Sequence, residues 1–285
     1  MNDTTFEFAR IGPAPHIAVE HLGTGPLVVF LHGIGGNRTN WREQVEAVAA
    51  EGFHAVAWDA RGYGDSDDYD GPLDFSHFNA DLIRVIEHFG QRAAHVVGLS
   101  MGGMTAQDFY RRHPERVLSL VLADTRNRFT RHNPEEFLRL REAPLLAGKT
   151  PADIAPGLAR TICSPSAAPD KVQRLADSIA ILHKDSYLKT LRATSLIEQS
   201  AHFAGCDSFV EAASIAVPTL VICGTADTIT PPAMSQKMAE EIPGARLAWI
   251  DGAGHLSNIE QPERFTEALV EFLRPLRSRS GLPAA

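Results

Sequence analysis

The chain has 285 residues, 44% hydrophobic and 22% charged, and its formal net charge is −8, from 27 Lys+Arg against 35 Asp+Glu. That is ample apolar material for one core with an insertion, and the acidic balance offers no general basic field for nucleic acid or an anionic membrane surface. Cys163, Cys206 and Cys223 are odd in number, widely spaced and in no C-x-x-C or zinc-ligand pattern, which excludes a disulfide framework and a structural zinc site from the expectations.

The first residues, Met1 to Glu7, lack a basic region followed by an apolar stretch, and no run approaches the length of a membrane span. The expected location is therefore cytoplasmic, with no membrane or nucleic-acid partner. Thr5-Phe6-Glu7-Phe8 and Ile17 to His21 alternate enough to form an antiparallel starting pair at a sheet edge. Leu27 to Leu31 is a buried strand running into the glycine-rich turn His32-Gly33-Ile34-Gly35-Gly36. A helix follows from about Trp41 to Glu51, then a strand from His54 to Trp58. The loop Asp59-Ala60-Arg61-Gly62-Tyr63-Gly64-Asp65-Ser66 has the glycines of a phosphate loop but not its lysine or spacing, and reads as structural. Ser76 to Phe89 is a helix whose Phe78, Leu82, Val85, Ile86 and Phe89 line one face, leaving His77 and His88 to solvent.

Next comes the most informative stretch, Val96-Val97-Gly98-Leu99-Ser100-Met101-Gly102-Gly103. It sets a serine between glycines two residues away on each side, after an apolar strand and before a helix running to His113. A serine hydroxyl is a weak nucleophile in water, so a strained turn must hold it where a base and a substrate can both reach it, and glycines remove the side chains that would clash. The first amides of the following helix point back toward Ser100. The strand Val117 to Ala123 then ends in Asp124, after which strand patterns vanish until about Ala213. Helix starts are expected at Asn133-Pro134-Glu135-Glu136 and Thr150-Pro151-Ala152-Asp153, with an N-cap, a first-turn proline and an acid three residues on. Further helices are expected over Asp170 to His183 and Ser186 to Phe203. An all-helical insertion here would roof the carboxyl ends of the strands, where ligands bind in open α/β sheets.

Strand logic resumes at Val217; Pro218 to Cys223 breaks at Gly224-Thr225-Ala226-Asp227, and Arg246 to Ile250 leads into Gly252-Ala253-Gly254-His255. His255, in a flexible loop at a strand end, is the best placed of the twelve histidines to take a serine proton near neutral pH. Two carboxylates end strands from which they could orient it, Asp227 and Asp124. The last helix opens at Pro262 and buries Phe265, Leu269, Phe272 and Leu273. The boundaries that follow are a core of residues 1–124 and 214–276, a helical cap of 125–213 and a disordered tail of 277–285.

In His32-Gly33-Ile34-Gly35, Asp59 to Ser66, Gly98-Leu99-Ser100-Met101-Gly102, Asp227 and His255, taken in order, the chain resembles the α/β-hydrolase superfamily. The resemblance implies that fold, a mostly parallel central sheet flanked by helices with a helical cap inserted after the sixth strand. It also favours Asp227 over Asp124, because the chain order becomes Ser, Asp, His. Ser100 then attacks an acyl carbon, His255 is the base, Asp227 orients it, and the amides of Ile34 and Met101 receive the oxyanion. His32 is expected to brace its loop. The run from Gly98 to Met104, with Pro114-Glu115-Arg116-Val117 and Leu120 to Thr125, looks most like the 3-oxoadipate enol-lactonase and carboxylesterase branch. Epoxide hydrolases and haloalkane dehalogenases carry aspartate where this chain has Ser100, and proline iminopeptidases carry a proline in the oxyanion loop that this chain lacks.

The expected activity is hydrolysis of a small carboxylic ester or lactone through an acyl-enzyme, with no cofactor and no metal. The same machinery also serves C–C hydrolysis of ring-cleavage products, amide or thioester cleavage, or a ligand receptor on a hydrolase scaffold. Arg126, Arg128 and Arg131 cluster where the chain leaves the sixth strand, and could either grip a substrate carboxylate or form a solvated basic patch. Trp41 and Phe129 either face the acyl pocket or belong to the core.

Overall fold

The apolar runs read as buried strands lie side by side in one sheet. The computed structural model describes residues 5–129 and 133–279. Its eight strands are β1 (Glu7–Ile11), β2 (Ile17–Leu22), β3 (Leu27–Leu31), β4 (His54–Trp58), β5 (Ala94–Leu99), β6 (Val117–Ala123), β7 (Thr219–Gly224) and β8 (Arg246–Ile250). Across the sheet they stand in the order β1-β2-β4-β3-β5-β6-β7-β8. Pairings β1/β2 and β2/β4 are antiparallel, and all others are parallel. Strands β3, β5 and β7 are buried at every residue, the mark of a sheet covered by helices on both faces.

Helices α1 (Arg42–Ala50), α2 (Phe75–His88) and α3 (Met101–Arg112) connect strands in the first half of the chain. Between β6 and β7 the chain runs through α4 (Pro134–Leu146), α5 (Pro151–Ile162), α6 (Pro169–Ala180) and α7 (Lys184–Ser195), with α5 packed on α6 and α4 on α7. The remaining helices are α8 (Pro232–Glu241), the short α9 (Ser257–Glu260) and α10 (Pro262–Leu273). Helix starts at Asn133 and Thr150 form as capping chemistry requires. The Asn133 side chain accepts from the Glu136 amide, and Thr150 and Asp153 cap each other reciprocally.

Departures from the sequence reading have local causes. The first strand is displaced toward Ile11 because its residues pair in register with β2, from Glu7 opposite His21 to Ile11 opposite Ile17. A 3-10 turn over Arg38–Trp41, capped by Asn37, precedes α1. His77 does not simply face solvent: its Nδ1 accepts from the Asp74 amide and completes the capping box of α2. The helix expected to run to Phe203 stops at Ser195 and gives way to 3-10 turns over Ile197–Gln199 and Ala201–Phe203. There Ser200 Oγ donates to Asp74 Oδ2 (3.0 Å) and accepts from the His202 amide, drawing the chain off the helix axis toward α2. At the far end, residues 277–279 are tied down, with Arg277 donating to the Glu51 carbonyl and the Arg279 amide to Leu276 O; the rest of the expected tail, 280–285, lies outside the described residues.

Helix α6 is fastened to the loop after β3. Asn37 Nδ2 donates to Ser178 Oγ (2.9 Å), which in turn donates to Asn40 Oδ1 (3.2 Å), while Arg174 pairs with Glu43 and donates to Thr39 O. Trp41 is core, packed between Phe30 and Phe265, and Phe129 packs on Phe203 and Phe209. All three cysteines are free thiols. Among the described residues, no helix is long and apolar enough to cross a membrane.

Candidate active site

Ser100 sits in the one-residue turn between β5 and α3 at φ 54°, ψ −114°, a conformation that costs a side-chain-bearing residue about 1–3 kcal/mol. Its surroundings hold it there: the Ser100 amide donates to Ala123 O at the end of β6, and Thr125 Oγ1 donates to Ser100 O. The flanking glycines follow from space. A Cβ at Gly98 would lie 2.3 Å from Gly102 O, and one at Gly102 only 2.1 Å from Leu31 O. The turn therefore closes only with hydrogen at both positions.

The loop after β8 brings His255 to this turn. Its Nε2 lies 2.9 Å from Ser100 Oγ and its Nδ1 2.9 Å from Asp227 Oδ2. The carboxylate fixes the tautomer: Nδ1–H donates to Asp227, leaving the Nε2 lone pair to accept the serine proton. Asp227, buried after β7, is held by the amides of Ile229 (2.7 Å) and Thr230 (3.0 Å) and by Thr230 Oγ1 (2.7 Å). Burial alone would push the His255 imidazole down and the Asp227 carboxyl up. Their mutual attraction and hydrogen bond outweigh it, with help from Thr230, so His255 is held above its ordinary value and Asp227 below. Thr230 escaped the sequence reading. Its signal was present in the Asp-x-x-Thr spacing, which closes a local turn on the carboxylate.

Asp124, the competing carboxylate, turns to other work. Its Oδ1 accepts from the Gly224 amide (2.9 Å), and its Oδ2 from the Ser257 amide (3.1 Å) and hydroxyl (2.5 Å). It thus ties the end of β7 to the residue two beyond His255. Burial first, and then the charge of Asp227, push its carboxyl up to about 7. Ligand atoms of Asp124, Cys223 and Asp227 all lie within 4.8 Å of one another. This is not the donor set of a metal centre: all four carboxylate oxygens already accept hydrogen bonds, and burial pushes the Cys223 thiol up to about 12.

The loop after β3 places Ile34 beside Ser100. A turn from the Gly36 amide to Gly33 O closes it, and Gly33 can approach because a Cβ there would already be 3.0 Å from Ser100 Cβ. His32 braces it from below, Nδ1 donating to Gly33 O (2.8 Å) and Nε2 accepting from the Ala60 amide (3.0 Å), with burial holding the ring neutral. Met101 is the first residue of α3, so its amide has no acceptor within the helix. The amides of Ile34 and Met101 are the donors at hand for an oxygen that becomes negative beside Ser100.

Ser100, His255 and Ile34 open onto a small cavity of about 70 Å³. The insertion supplies most of its other walls, among them Leu158 and Ile162 of α5, Tyr187 and Leu191 of α7, and Arg141 of α4. Two of the three arginines singled out in the sequence lie elsewhere. Arg126 is buried and braces the chain, donating to Phe129 O (2.8 Å) and Thr194 O (3.2 Å). Arg128 is 38% exposed and pairs with Asp207 and Glu241 beside α8. Both border a separate pocket with Met234 and Met238. Arg131 lies outside the described residues. The cation at the cavity, Arg141, was not singled out. Its spacing of one turn from Phe137 on the Asn133-capped helix places both on one face, but nothing in that spacing says what the face meets.

Comparison with known proteins bears on the family and the fold. BpoC of Mycobacterium tuberculosis, provisionally named a non-heme bromoperoxidase, is 30% identical over 269 residues, covering 92% of this chain and 99% of its own. The 3-oxoadipate enol-lactonase 2 of Acinetobacter baylyi is 26% identical over 276 residues, 94% of this chain and 98% of its own. A thermophilic esterase of Thermogutta terrifontis superposes with a TM-score of 0.83 at 29% identity, covering 96% of this chain and all of the esterase. The family model for the alpha/beta hydrolase fold matches residues 26–262. A glycine-flanked serine turn at the carboxyl end of a mostly parallel sheet, together with that match, places the chain in the α/β-hydrolase family.

Proposed function

We propose that the protein is a serine hydrolase that cleaves a small carboxylic ester or lactone through an acyl-enzyme. The observation that carries this reading is the unbroken chain from Ser100 Oγ through His255 to Asp227, opening onto a small, largely apolar cavity. Ser100 attacks the carbonyl carbon while His255 Nε2 takes its proton, and the Asp227 carboxylate stabilises the imidazolium that forms. The carbonyl oxygen becomes an oxyanion held by the Ile34 and Met101 amides. His255 returns the proton to the leaving oxygen, which departs as an alcohol or, for a lactone, stays tethered to the acyl group. Water, deprotonated by the same imidazole, then attacks the ester on Ser100 and frees the acid.

Esterase and lactonase relatives support the choice of substrate class, and the cavity volume supports a short acyl group. We assign residues 125–213 the role of a cap, because its helices α4, α5 and α7 supply walls of the cavity over Ser100.

The direct test is hydrolysis of short-chain p-nitrophenyl esters by the wild type and by Ser100→Ala at neutral pH. Turnover by the wild type that falls at least about 10⁴-fold in the variant is the expected result. Comparable turnover by both would contradict the proposal.

A further inference from the structure

We propose that Arg141 is a substrate-recognition residue and that the natural substrate carries a carboxylate on the acyl side of the scissile ester. This deepens the hydrolase reading, on which it rests, by giving the substrate a charge.

Three observations point the same way. Arg141 lines the cavity into which Ser100 and His255 open, so its side chain borders the space a bound acyl group must fill. Its partner is a ring: the guanidinium carbon stands 5.2 Å from the centroid of Phe137, one helical turn back, while its neighbour Glu142 pairs with Arg192 instead. Among the described residues, no carboxylate forms an ion pair with Arg141. Arg126 and Arg128, by contrast, are engaged with backbone carbonyls and with Asp207 and Glu241.

The electrostatics agree with the geometry. Arg141 lies close enough to His255 and Tyr187 for its charge to act on both, and at His255 it opposes the charge on which the base depends. A half-buried cation facing an apolar cavity is a poorly solvated group. A carboxylate bound there would receive charge-assisted, geometrically matched hydrogen bonds from the planar guanidinium. The small volume next to Ser100 limits the separation between the reacting carbonyl and that carboxylate to a short chain. The indicated class is therefore the half-ester or carboxylated lactone of a short dicarboxylic acid.

The test compares two esters of nearly equal shape, monomethyl succinate and methyl levulinate, the second having a neutral acetyl group where the first has a carboxylate. The ratio of their kcat/KM values is measured for the wild type, Arg141→Gln and Arg141→Lys. Binding of monomethyl succinate is measured separately by calorimetry in Ser100→Ala with and without Arg141→Gln. The expected results are a ratio that falls at least about tenfold in Arg141→Gln, mainly through KM, an intermediate ratio in Arg141→Lys, and an equivalent loss of binding in the Ser100→Ala background. A ratio and a binding constant indifferent to Arg141 would overturn the proposal while leaving ester hydrolysis standing. Arg141-dependent binding without turnover of either ester would support the recognition role and count against the hydrolase reading alone.

Discussion

The strand ends and the helical insertion meet at the same cavity but are built differently. The side chains of Ser100, His255 and Asp227 all have hydrogen-bond partners, and several positions around them admit no side-chain atom: a Cβ at Gly224 would lie 2.3 Å from Gly254 O, just as Gly98 and Gly102 are closed off. In the insertion, the turn glycine Gly148 has nothing within 4 Å of a would-be Cβ, and Leu146 and Ile181 are exposed. The lesson is a division of labour. In the proposed function the sheet end fixes the kind of reaction, through backbone geometry that few substitutions can preserve. Under the same proposal the insertion selects the molecule that enters, because its side chains supply most of the cavity wall away from Ser100 and His255.

The largest effect that sharpens this contrast is Ser100→Ala, expected to lower kcat by about 10⁴- to 10⁶-fold with an unchanged melting temperature. A loss confined to one class of ester would place Ser100 with specificity rather than chemistry. Next in size, Asp227→Asn should cost about 10³- to 10⁴-fold in kcat, because the imidazole loses the partner that fixes its tautomer. The pH profile gives a second reading of the same pair. Because His255 is held above its ordinary value, kcat/KM should rise with pH through that raised value as the imidazole becomes free to accept a proton. The stability that His255 contributes through its raised value runs the other way, fully present below about pH 6.5 and lost as pH rises through the folded-state value. Removing the Asp227 charge should move the acid limb of the activity profile to lower pH, and an unmoved limb would separate Asp227 from the base.

Backbone substitutions break the comparison from the structural side. Gly98→Ala must push the Gly102 carbonyl aside, and should destabilise by about 3 kcal/mol or more and abolish activity. Gly148→Ala meets no neighbour and costs only the strain of φ 98°, about 1–2 kcal/mol, with turnover retained. Thermal melts alongside ester hydrolysis check both. The smallest effect belongs to Arg128→Ala, which removes a half-exposed ion pair away from the cavity. It should change stability by less than about 1 kcal/mol and leave KM for anionic and neutral esters in the same ratio. A selective rise for anionic esters would return Arg128 to the substrate.

The same division explains what could be read without coordinates. The strands and Ser100, Asp227 and His255 were legible because each is announced locally, by a continuous apolar run, a glycine pair or a break after a strand. The choice between Asp124 and Asp227 was not local. It rests on which carboxylate turns toward His255, and only the contacts of Asp124 with Gly224 and Ser257 explain why that one turns away. The cavity walls were harder still. Arg126, Arg128 and Arg141 differ little as sequence, yet one braces the backbone, one pairs with Asp207 and Glu241 and one lines the cavity, because the groups each meets are brought there by parts of the chain far away in sequence. The helix end at Ser195 was hidden for a similar reason, since Ser200 finds its partner in Asp74, far away in the chain.

The central claim is a covalent bond between substrate and Ser100, and quenching a reaction in progress tests it most directly. The wild type is mixed with p-nitrophenyl butyrate, stopped in acid within the first turnovers, and weighed intact and as peptides by mass spectrometry. The account predicts a butyryl group on the peptide containing Ser100, absent from Ser100→Ala. Ester consumed with no acylated Ser100, or acyl groups found only elsewhere, would contradict it.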